Sequence, residues 1–143
     1  MTQVLFTPEA WGKMADIIQD PGETHTGFHG LVRRDDSGEG YIVYDILSYP
    51  QHDQTEYDIW LMSQEDEVFN HIRLLGRTHK GCGDISRINS DTAYMVKLVK
   101  KFQKDVPNKF YIFTIWNREM ENYAAIYDAG GIAVTNDNIK IVH

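Results

Sequence analysis

The sequence has one cysteine, Cys82, so no disulfide can form within the chain. A lone thiol fits a reducing compartment, and a cytoplasmic location is expected. Long hydrophobic runs are missing: no stretch approaches the ~20 apolar residues of a membrane-spanning helix. The opening stretch MTQVLFTPEAWGKM has no basic segment followed by an apolar one, so it does not read as a signal peptide. Positive charge is scarce. The 14 Lys and Arg stand against 21 Asp and Glu, a net charge of −7. Nucleic-acid binders usually carry the opposite sign, because phosphate contacts supply much of their affinity. General DNA or RNA binding is therefore not expected, and neither is a membrane.

What is present is ordinary globular composition. Apolar residues make 42% and charged residues 24% of 143 residues, which suits one domain over 1–143. Such a chain buries a real core and needs no metal or disulfide merely to fold.

Local patterns predict the elements. Thr7 can cap a helix, Pro8 suits its first position and Glu9 its positive end. Trp11, Met14, Ala15 and Ile18 recur at helical spacing until Asp20-Pro21-Gly22 stops the helix, which gives a span of roughly 8–19. A hairpin follows: Gly27–Arg33, turn chemistry at Asp35-Asp36-Ser37-Gly38, then β-formers from Tyr41 to Leu47. Apolar and acidic residues mix over 55–70 and suggest one or two helical pieces. Residues 72–79 read as a strand leaving the core, and 80–89 as a loop. A helix opens near Asn89 or Ser90, with an apolar stripe of Met95, Leu98, Val99 and Phe102. Its lysines 97, 100, 101 and 104 form a solvated face, as does the acidic run at 64–67. Strands follow at 110–116 and 123–127, with a last edge strand at 139–142. The order α, β, β, α, β, α, β, β, β describes an α/β domain without repeats.

The most informative segment is Gly76-Arg77-Thr78-His79. A strand delivers a histidine to its end, a small-residue loop follows, and Asp91 stands near a helix start. A strand-end imidazole and a helix-start carboxylate can converge on one divalent ion. With a third protein ligand and a water, such a site is hydrolytic.

These residues, with Gly27–Val32, Asp45–Gln51, Asp66–Asn70, Asp91–Tyr94 and Phe110–Asn117, resemble the JAB/MPN domain. The resemblance covers most of the chain and is nearest to the small stand-alone bacterial and phage versions. It implies a cytidine-deaminase-like fold: a mixed, curved β-sheet flanked by helices, one of them packed behind the metal site. Active members are JAMM-type zinc metallo-isopeptidases or metalloproteases. Their motif is His-Ser-His, then a Ser, then an Asp three residues later. A Glu on the first hairpin strand polarises the zinc-bound water.

Carried over residue by residue, the motif is incomplete. His79 matches the second histidine, and Asp91 matches the aspartate with an interval one residue too long. The first histidine falls on Arg77, which is permanently charged and has no lone pair for zinc. The motif serine falls on Ile88, flanked by Ser86 and Ser90, so Ser90 is the displaced candidate. The Glu position falls near Thr24 or His25, with Glu23 displaced toward the N-terminus. Because strand side chains alternate, a one-residue shift turns Glu23 to the opposite face. His25, Cys82 or Asp84 could substitute as a ligand, and His79-x-x-Cys82 has a short metal-site spacing.

Each position also has a plain structural role. His79 can be a hydrogen-bonded relic, Asp91 a helix cap, and Cys82 an ordinary loop cysteine. His25 and His29 share one strand face, expected to be polar and half-exposed. Arg77 could pair with Asp91, a charge replacing the metal's charge. Three readings follow from the resemblance. The first is a non-catalytic protein-interaction module without bound zinc, whose partner is a peptide or ubiquitin-like segment. The second is an active zinc metallo-isopeptidase with a variant ligand set drawn from His79, Asp91, His25 and Cys82. The third is a phage-type inhibitor or decoy of a host factor.

Overall fold

The computed structural model describes residues 1–19, 25–48, 72–79, 110–128 and 131–143. Helix α1 (Pro8–Gln19) begins and ends as the sequence predicts. Its cap is Thr7, whose Oγ1 accepts from the Ala10 N–H at 3.2 Å. That bond satisfies one of the backbone donors that every helix start leaves open. Ala10, Met14 and Ile18 form its buried stripe. Each large apolar side chain so buried contributes ~1.5–3 kcal/mol.

Strands β1 (Thr2–Phe6), β2 (His25–Arg34), β3 (Tyr41–Ser48) and β4 (Ile72–His79) precede β5 (Phe110–Trp116), β6 (Asn122–Asp128), β7 (Gly131–Val134) and β8 (Ile139–Val142). They join in one mixed sheet ordered β7-β6-β5-β4-β2-β3-β1-β8. β2 runs antiparallel to β3 and β4. β5 runs antiparallel to β6, and β6 to β7. β1 lies parallel to both β3 and β8, and β4 lies parallel to β5. Parallel neighbours cannot be joined by a tight turn. All three parallel pairs, β1–β3, β1–β8 and β4–β5, are separated by enough chain for a crossover.

Two tight turns explain two hairpins. In the β2–β3 turn, the Asp35 N–H donates to Gly40 O at 3.0 Å, and the Ser37 hydroxyl donates to Asp35 Oδ1 at 2.6 Å. The Ser37 hydroxyl, with backbone N–H groups, holds the Asp35 carboxyl below its usual range. Gly38 supplies the positive φ of 78° that this turn needs. In the β5–β6 turn, buried Asn117 takes over the work. Its Oδ1 accepts from the Glu119 and Glu121 N–H groups at 3.1 and 3.0 Å. That brace holds Met120 at φ 64°, a conformation a side chain other than glycine rarely adopts.

The core lies between α1 and one sheet face. Val4, Phe6, Phe28, Val43, Ile46, Leu74, Ile112, Trp116 and Ile126 meet the helix stripe there. Phe6, Trp11 and Trp116 form an edge-to-face triangle with centroids 5.7–6.1 Å apart. β1 and β5 are four strands apart in the sheet order. Strand spacing would separate them by about 19 Å if the sheet were flat. Contact between Phe6 and Trp116 therefore requires a strongly curved sheet. The mixed, curved sheet expected from the sequence is present, and α1 covers one face.

The sequence patterns miss β1 and β7. Both are decided by tertiary pairing, β1 with β3 and β8 and β7 with β6. The helical pieces expected over 55–70, the loop over 80–89 and the helix from Ser90 to Pro107, with its lysine face, lie outside the described residues, as does the acidic run at 64–67.

Candidate functional site

The C-terminal half of β4 carries Gly76-Arg77-Thr78-His79. Gly76 is required by its neighbour: a Cβ there would overlap the ring of Phe28, its partner across the β2–β4 pair. The buried Phe28 ring fills the space that Gly76 leaves empty, which locks the register of β2 against β4 beside the site.

Arg77 is only 5% exposed. Its ladder neighbours are Gly27 on β2 and Ile115 on β5. A guanidinium keeps its charge even when buried, so it must engage other groups to offset lost hydration. Arg77 does have interaction partners. Thr78 faces the opposite way, is fully buried, and pairs in register with Trp116. Two buried polar atoms lie on that core side, Thr114 Oγ1 and Trp116 Nε1, with no hydrogen-bond partner among the described residues.

β2 brings its histidines to the same region. His25 at its start stands directly opposite His79 at the end of β4. Register positions directly opposite in an antiparallel pair lie on one sheet face. Positions 25, 27, 77 and 79 thus form a block of two His, one Gly and one Arg at one end of the β2–β4 seam. His29 continues the row, with Leu75 and Leu47 as its register partners. The expectation of a half-exposed His29 is wrong: it is fully buried. Leu75, Arg77, Phe113 and Ile115 on the same sheet face are buried too, so that face is covered, which alternation along one strand does not show.

Farther along this sheet face, Phe113 stacks on Tyr127 with centroids 5.1 Å apart. Burial, with a smaller contribution from Tyr123, pushes the Tyr127 hydroxyl up to about 12. That phenol stays neutral at any physiological pH.

Of the motif positions, β2 and β4 bring together His25, Arg77 and His79. Glu23, Thr24, Cys82, Asp84, Ser86, Ile88, Ser90 and Asp91 lie outside the described residues, and so does the proposed Arg77–Asp91 pairing. Among the described residues, no three His, Cys, Asp or Glu side chains are grouped to hold a metal ion. The strand portion of the motif does not fit zinc as it stands, because one of its two positions is a buried arginine with nothing to donate. The facing of His25 and His79 has no local signature. It depends on register between strands distant in sequence, which Phe28 and Gly76 set. No described helix is long and apolar enough to cross a membrane. No protein-family model matches the chain, and no curated protein matches its sequence.

Proposed function

We propose that the protein is a JAB/MPN-like module without catalytic activity that binds another protein. The observation that carries this reading is Arg77, a buried permanent cation two residues before His79 at the first ligand position of the motif. A divalent ion at that place would meet a like charge at short range in a medium where Coulomb forces are weakly screened. Losing one ligand of three also removes most of the chelation that makes such a site stable. The fold can keep its recognition surface after the chemistry is gone. The resemblance implies ubiquitin-like tails and peptide segments as targets. A phage-type decoy would use the same surface on a host factor.

One observation favours a second reading. His25 stands opposite His79, so a variant ligand set could replace the lost histidine and restore a metallo-isopeptidase.

Thermal melting with and without added zinc, run beside an assay for cleavage of isopeptide-linked ubiquitin, separates the two. A ligand that binds only the native state raises the melting temperature. The binding-module reading expects no zinc-dependent shift and no cleavage. A saturable rise in melting temperature that His25→Ala and His79→Ala each abolish, accompanied by cleavage, would establish the second reading instead.

A further inference from the structure

We draw no further inference here: the strongest candidate, the facing positions of His25 and His79 beside buried Arg77 at one end of the β2–β4 seam, belongs to the site already described.

Discussion

Gly76 shows how much one position beside the site can decide. It is the only residue type that lets the Phe28 ring lie across β4. Gly76→Ala should lower stability by about 1–3 kcal/mol, the usual cost of overpacking a filled core. Urea denaturation would measure this. The double variant Gly76→Ala/Phe28→Leu should cost less than the two single changes added together, because the smaller side chain yields to the new methyl. Strict additivity would show that the two residues do not share the space. Tyr127 makes a second residue-scale prediction. Its pKa of about 12 in the folded chain lies above the ordinary 10.0. The folded state therefore holds a proton that the unfolded state releases between these values. Stability should be unaffected below pH 10 and should fall as pH rises from 10 toward 12, by about 2–3 kcal/mol at most. Tyr127→Phe should flatten that alkaline decline in denaturation curves, and an unchanged slope would locate the titration elsewhere.

Helix α1 and strand β3 are held together by more than the core. Lys13 Nζ lies 2.7 Å from Asp45 Oδ1, and Asp45 also accepts from the Ile46 N–H at 2.9 Å. Lys13 chiefly, then the Ile46 N–H, holds the Asp45 carboxyl below its ordinary value. Its contribution is thus present above the unfolded carboxylate range and is lost as pH falls below about 4 through the lower folded value. Both side chains are substantially exposed, at 56% and 34%, so the pair contributes less than about 1 kcal/mol. Lys13→Ala should make a difference at pH 7 that shrinks to nothing in acid. A pH-independent loss would mean that the lysine stem, not its charge, matters. At this scale most of the fold is readable in the sequence. α1 is announced by its cap, its proline and its apolar spacing, and β5 by seven residues of strand-forming character. β1 and β7 are not read from the sequence; their pairing with β3, β8 and β6 makes them strands.

In the whole molecule, sequence and three-dimensional arrangement contribute different parts of the candidate site. The chain alone shows an arginine where the resemblance would put a ligand. Only the sheet shows that this arginine is buried, that glycine stands opposite it, and that His25 faces His79. These facts depend on strand order and register, which are set by contacts such as Phe28 on Gly76 and by the curvature that joins Phe6 to Trp116. The burial of His29 likewise depends on what covers its sheet face, which its own strand does not show. The central claim is that Arg77 keeps metal from the motif. Metal analysis of the purified protein and of its Arg77→His variant, both prepared in excess zinc, tests it most directly. A wild type with far less than one zinc per chain and a variant that gains zinc are the expected results. About one zinc per chain in the wild type, or equal metal in both proteins, would contradict it.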